Sequence, residues 1–221
     1  MNKFLAVMLG VVASNQAFAA DNSGRSPVTW SGAYLGAELG HAWAEGNYFA
    51  DFGDFTNSAR RTLDGAFVGA YGGYNVDLGN SIIVGIEADA ALHDTHDEGS
   101  AIQDQGIPSP AYIITDQSWS AAARVRGGYA FGRWLPFVAG GVAATRVKVS
   151  DAAERRHPLS STDTYLGWTV GAGVDYALSE HVITRLEYRY TDFGGQALDI
   201  PGDRTFDLKS QDVRIGVAYK F

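Results

Sequence analysis

The chain has 221 residues, with 17 Lys and Arg against 25 Asp and Glu, a formal charge of −8. That is the wrong sign for a protein that neutralises nucleic-acid phosphates, and the absence of cysteine excludes disulfide scaffolds, thiol catalysis and Cys-ligated zinc. With 27 Gly, 11 Tyr, 11 Phe and 5 Trp at a mean hydropathy of −0.10, it fits a β-rich chain with many turns, not a bundle of membrane helices.

The first residues read as an export signal. Met1-Asn2-Lys3 supplies the positive start, Phe4 to Ala13 an uncharged apolar core, and Ala17-Phe18-Ala19 the small-x-small pattern that signal peptidase cuts. The apolar stretch is too short to span about 30 Å of hydrocarbon. Residues 1–19 are therefore expected to be cleaved, with Ala20 as the alternative last residue. Residues 20–31 read as a periplasmic lead-in and 32–221 as one domain.

Period-2 alternation marks eight runs: Gly32–Trp43, Gly65–Val76, Ile82–Ala91, Trp119–Phe131, Phe137–Val149, Tyr165–Ala177, Val182–Phe193 and Asp212–Phe221. Each is about the 9–11 residues, or slightly more, that a tilted strand needs to cross a bilayer. The connections alternate in length. Ala44–Asp64, Leu92–Ser118, Ser150–Thr164 and Gly194–Gln211 are long; Asp77–Ser81, Gly132–Pro136 and Leu178–His181 are short. Long loops on one side and tight turns on the other predict an all-β fold, an eight-stranded antiparallel up-and-down transmembrane β-barrel.

The two faces of each run differ. Val213, Ile215, Val217, Tyr219 and Phe221 oppose Asp212, Arg214, Gly216, Ala218 and Lys220; Ile82, Val84 and Ile86 oppose Glu87 and Asp89. The charged faces carry both signs, as an internally paired lumen requires. The acids expected inside are Glu38, Glu87, Asp89, Asp175, Glu187 and Asp212. The bases are Arg124, Arg126, Arg146, Lys148, Arg185, Arg189, Arg214 and Lys220. In the fifth run Phe137, Ala139, Ala143 and Val147 are assigned to the outside, opposite Arg146 and Lys148. Aromatics near run ends, including Trp43, Tyr74, Trp119, Tyr129, Phe137, Trp168, Tyr176 and Tyr219, suit a lipid–water boundary. The expectation is a barrel polar inside and apolar outside.

Several motifs in order carry a resemblance. Trp30-Ser31-Gly32-x-Tyr34-x-Gly36, Gly72-Gly73-Tyr74-Asn75, Gly85-Ile86-Glu87-Ala88-Asp89 and Arg124-x-Arg126-x-Gly128-Tyr129 open the series. Leu135-Pro136-Phe137-x-x-Gly140-Gly141, Gly167-Trp168-Thr169-Val170-Gly171 and Leu186-Glu187-Tyr188-Arg189-Tyr190 continue it. From Trp30 to Phe221 the chain resembles the small outer-membrane β-barrel proteins of alphaproteobacteria, the porin-family or opacity and surface-antigen proteins. Asp175 stands where that family often carries Glu. The closing Gly216-x-x-Tyr219-x-Phe221 is similar to the signal that the barrel-assembly machinery recognises. The resemblance implies residence in the cell outer membrane, contact with its lipid and lipopolysaccharide, and handling by the assembly machinery and periplasmic chaperones.

No catalytic constellation is legible. Ser179 and His181, the one close Ser/His pair, fall in a short turn; GxSxG is absent, and the Gly-rich stretch 69–73 lies inside a strand. His93-Asp94-Thr95-His96-Asp97-Glu98 has metal-ligand residue types, but with Gly99, Pro108 and Pro110 following, it reads as part of a solvated acidic loop together with Asp104 and Asp116. No enzyme, cofactor or metal site is expected. Eight strands leave room for side chains only. The expected function is structural and surface-antigenic, with a plugged interior. The alternatives are a narrow channel for small solutes, or an adhesin using the loop aromatics Tyr48, Phe49, Phe52 and Phe55.

Overall fold

The computed structural model describes residues 28–51, 56–96, 113–151, 160–197 and 203–221, with side chains over 28–45, 64–94, 118–146, 164–194 and 208–221. It comprises β1 (Gly32–Asp51), β2 (Thr56–Asp77), β3 (Ile82–His96), β4 (Ile113–Tyr129), β5 (Trp134–Asp151), β6 (Ser160–Ala177), β7 (Val182–Ala197) and β8 (Asp203–Lys220). Each strand pairs antiparallel with the next, and β1 also pairs with β8, so the sheet closes and leaves no free edge.

Stepping from partner to partner around the sheet fixes its geometry. Leu35 leads through Gly72, Ala88, Ala123, Val142, Trp168, Asp192 and Lys209 back to Glu45, a stagger of ten residues on β1. Eight strands with that stagger tilt by about 40° and enclose a space filled by side chains.

The residues that start and stop the strands at one end are turn formers. Ile82 N donates to Gly79 O at 3.0 Å, and the central residues Asn80 and Ser81 both have positive φ (52° and 65°), as a two-residue hairpin turn demands. Gly132 (φ 61°) turns the chain between β4 and β5. Ser179 Oγ accepts from the backbone N–H of Val182 at 3.0 Å in the third turn, so this serine serves the backbone. His181 stacks instead on Tyr219, with ring centroids 5.5 Å apart. We call this the turn end and the opposite one the loop end.

Alternation becomes an inside and an outside. Along β8, Asp212, Arg214, Gly216, Ala218 and Lys220 are buried, whereas Val213, Ile215, Val217 and Tyr219 are exposed. Along β3, Glu87 and Asp89 are buried, and Ile86 and Leu92 lie exposed.

Two expectations need correction. Most of the supposed long loops are strand: β1 and β2 run on as a hairpin to Asp51 and from Thr56, and His93 to His96 belong to β3. Once the wall has passed its apolar belt, the ladder pairing carries it further as strand. Second, β5 faces the other way from the expected assignment. Leu135, Phe137, Ala139, Ala143 and Thr145 are buried, and Arg146 is exposed on the outer face beside Val142 and Ala144. Both faces of β5 are apolar along most of its length, so alternation there carries no sign. The two basic residues at its loop end were wrongly taken to supply one. Lys148 lies beyond the residues whose side chains are described. Ahead of β1, Trp30 turns under the barrel and is 3% exposed. The proposed export signal, Phe52, Phe55, Asp97, Glu98 and Asp104 lie outside the described residues.

Candidate functional site

The lumen stacks in three layers along the barrel axis. At the turn end Trp30, Ile83, Leu135, Ala177 and Ile183 form an apolar cluster, with Val28 and Ala130 packed against it. At the loop end Ala44, Ala122, Ala143, Tyr165, Phe193 and Leu208 form a second, contributed by six different strands. Between them lies a layer of paired charge.

That layer is built from five arginines and six carboxylates. Asp175 of β6 accepts from Arg126 Nη2 at 2.7 Å and from Arg185 Nε at 2.8 Å. Glu87 of β3 accepts from Arg185 at 2.6 Å, from Tyr34 Oη at 2.6 Å and from Arg124. Arg124 also donates to Glu187, which takes a further bond from Arg189 Nε at 3.3 Å. Arg189 holds Asp89 with both terminal nitrogens, at 3.0 and 2.9 Å. Arg214 completes the run, donating to Glu38 at 2.6 Å and to Asp212 at 2.8 Å. All eleven side chains are buried. Sharing each guanidinium between carboxylates offsets the desolvation cost that a lone buried ion would carry.

Two strands give this layer no charge, and they supply its aromatic faces. From β5, the Phe137 ring lies 4.1 Å under the Arg126 guanidinium carbon. From β2, Tyr71 and Phe67 lie 4.5 and 4.8 Å from those of Arg185 and Arg214. These cation–π contacts explain why an inward phenylalanine sits among arginines. Space for the rings comes from glycines facing them. A Cβ at Gly173 would meet the Phe137 ring at 2.8 Å, and one at Gly216 would meet Tyr71 at 2.8 Å. The sequence reading missed Tyr34, Phe67, Tyr71 and Phe137 as lumen residues. The signal was present: Phe67-x-Gly69-x-Tyr71-x-Gly73 alternates large with absent side chains on one face, as an interior filled to capacity needs.

The remaining candidates fall elsewhere. Lys220 is 8% exposed at the turn end. His93 points inward, 2.8 Å from Ser120 Oγ and against the Phe67 ring, beneath the loop-end cluster. Tyr219 and Phe221 face outward at the turn end, and Gly216 faces the lumen. Outside, aromatic residues form two belts: Tyr74, Tyr129, Trp134, Tyr176 and Tyr219 near the turns, and Trp43, Trp119, Trp168 and Tyr190 toward the loops.

Comparison with known proteins agrees with this architecture. Residues 4–221 match the family described as outer membrane protein beta-barrel domain. A 31 kDa outer-membrane immunogenic protein of Brucella melitensis is 32% identical over 213 residues, covering 87% of this chain and 84% of that protein. A 22 kDa outer membrane protein of Rhizobium leguminosarum bv. viciae is 32% identical over 200 residues, covering 89% and 82%. Among solved structures, the outer membrane protein OprG of Pseudomonas aeruginosa superposes with a TM-score of 0.51 at 16% identity, over 86% of this chain and 96% of that one. The Escherichia coli outer membrane protease OmpT gives 0.52 at 7% identity, over 90% and 99%, a likeness of fold alone. A closed barrel with an apolar outer belt and a family match over nearly its whole length make this chain a member of the outer membrane protein beta-barrel family, resident in the outer membrane.

Proposed function

We propose that the protein is a structural and surface-antigenic component of the outer membrane, with a sealed lumen and no catalytic role. The observation that carries this reading is the three-layer interior. An ion crossing it would have to part paired guanidinium and carboxylate groups, and then pass a largely apolar cluster at each end. The names of the Brucella relatives, immunogenic proteins of the outer membrane, support a surface-displayed role for the strand ends and loops. The β3–β4 hairpin is acidic by sequence toward this end, with Asp94 on β3, Asp116 on β4 and Asp97, Glu98 and Asp104 between them. Tyr219 and Phe221 at the exposed end of β8 fit an assembly signal read by the barrel-assembly machinery, with Gly216 on the same strand.

The test is planar-bilayer conductance of the refolded chain. A silent bilayer from protein shown to be folded by heat-modifiable gel migration is the expected result. Discrete, reproducible steps whose ion selectivity changes with Arg189→Gln would replace the sealed lumen with a narrow channel.

A further inference from the structure

Arg146 is the anomaly of the wall. It sits on the outer face of β5, directly across the ladder from Trp119 of β4 and Thr164 of β6. It is exposed, and no carboxylate among the described residues pairs with it. The other described cation of the loop-end outer rim, Lys209, lies 3.9 Å from Asp192. An arginine facing lipid is costly at the bilayer centre and nearly free at the interface, so its height decides its meaning. Trp134 at the turn-end belt and Arg146 lie on one strand, twelve residues apart. At about 3.3 Å per residue and a tilt of about 40° they are separated by ~30 Å along the membrane normal. With short turns facing the periplasm, Arg146 therefore stands among the headgroups of the outer leaflet, just above the loop-end aromatic belt.

Below it the wall is hollow. Ala70, Ala90, Ala121 and Ala144 are successive ladder partners on β2 to β5, all facing outward. Ala70 and Ala90 floor a shallow groove whose upper bank is Val68, Leu92 and Trp119, and Ala121 and Ala144 continue the row of small residues beneath Arg146. Trp119 pairs with Leu92 on one side and with Arg146 on the other, so it joins the groove to the cation.

We propose that this is a binding site for one phosphorylated lipid of the outer leaflet. The Arg146 guanidinium holds the headgroup phosphate, Trp119 packs where headgroup meets chain, and an acyl chain lies in the alanine groove. Charge complementarity selects the occupant. The groove alone accepts any acyl chain, whereas a guanidinium at its upper end with no carboxylate partner among the described residues favours a phosphate monoester over a zwitterionic headgroup. This inference rests on residence in the outer membrane and not on the sealed lumen, so a conducting bilayer would leave it standing.

The experiment places the full mature chain in phosphatidylcholine nanodiscs containing a minor fraction of lipid A, and counts retained lipids by native mass spectrometry. Wild type is expected to keep one lipid A in preference to phosphatidylcholine. Arg146→Gln lowers that preference by ~5-fold, the effect of one interfacial cation. Lys209→Gln, removing a cation already paired, leaves it unchanged. Ala90→Phe fills the groove and reduces retention of both lipids. The proposal is overturned if folded Arg146→Gln retains lipid A as wild type does. It is equally overturned if Ala90→Phe changes the number of chains per particle while lipid retention stays the same, because the groove is then an interface between copies.

Discussion

Arg124 and Val125 are neighbours in the chain and live in opposite media. One is 4% exposed and bonded to two carboxylates from β3 and β7; the other is 67% exposed on the outer belt. The lumen is a set of mutually dependent charges, in which no residue keeps its environment if another is lost. The wall is a set of independent contacts with a fluid that conforms to any apolar shape. The same ladder of backbone bonds carries both faces, so the difference in tolerance comes from side chains alone. Substitutions inside should propagate, and substitutions outside should not.

The largest break should come from removing one carboxylate at the centre of the network. Glu187→Ala leaves Arg124 and Arg189 each short of a partner, and should destabilise the barrel by about 3–5 kcal/mol, read from urea titration of tryptophan fluorescence in lipid vesicles. Replacing the chelated pair together, Asp89→Leu with Arg189→Met, should cost clearly less than the sum of the single changes. A double-mutant cycle measures that coupling, and additivity would mean that the charges act independently. Next is Trp30→Ala, which empties the turn-end cluster and should cost about 3 kcal/mol, while bilayer conductance stays silent because the charge layer remains. Gly173→Ala should cost about 1–3 kcal/mol by forcing the Phe137 ring from Arg126; the matched outer change, Val138→Ala, calibrates how little the wall responds. The smallest effect belongs to Lys209→Ala, whose long, half-exposed ion pair with Asp192 contributes about 0–1 kcal/mol and should vanish into the error of the same titration.

Much of this comparison was legible in the sequence. The number of strands and their order followed from alternation and from turns such as Gly79-Asn80-Ser81, because period 2 and turn chemistry are local. Ten of the lumen charges expected from Glu38 to Arg214 fall on strands where one face is charged and the other apolar, so parity alone assigns a side. Asp175 joins them, since Val174 and Tyr176 flank it. On β5 the same logic failed, because Phe137 and Val138 are both apolar and only their neighbours tell them apart. What makes Phe137 inward is Arg126, eleven residues earlier on β4, whose guanidinium needs a ring beneath it. Pair choice within the network was equally out of reach. That Arg124 bonds Glu87 and Glu187 depends on register and on the ten-residue stagger, and neither is written in any one strand. The extent of the loop-end hairpins was hidden for a different reason. There, segments such as Glu45-Gly46-Asn47 and Arg60-Arg61-Thr62 carry no apolar–polar alternation, so the pattern that marks a strand disappears while the backbone pairing continues.

The bond from Arg214 to Glu38 spans the junction of β8 and β1, which joins residues 176 positions apart and closes the sheet between its first and last strands. Until that junction shuts, Glu38 and Arg214 belong to opposite margins of an open sheet and lack each other. A partly rolled sheet in hydrocarbon would carry unpaired ions on its inner surface, while the shut barrel carries none of that burden on this pair. The charge layer therefore acts as a latch on insertion. It penalises forms in which that junction stands open, because both ions then lose their partner.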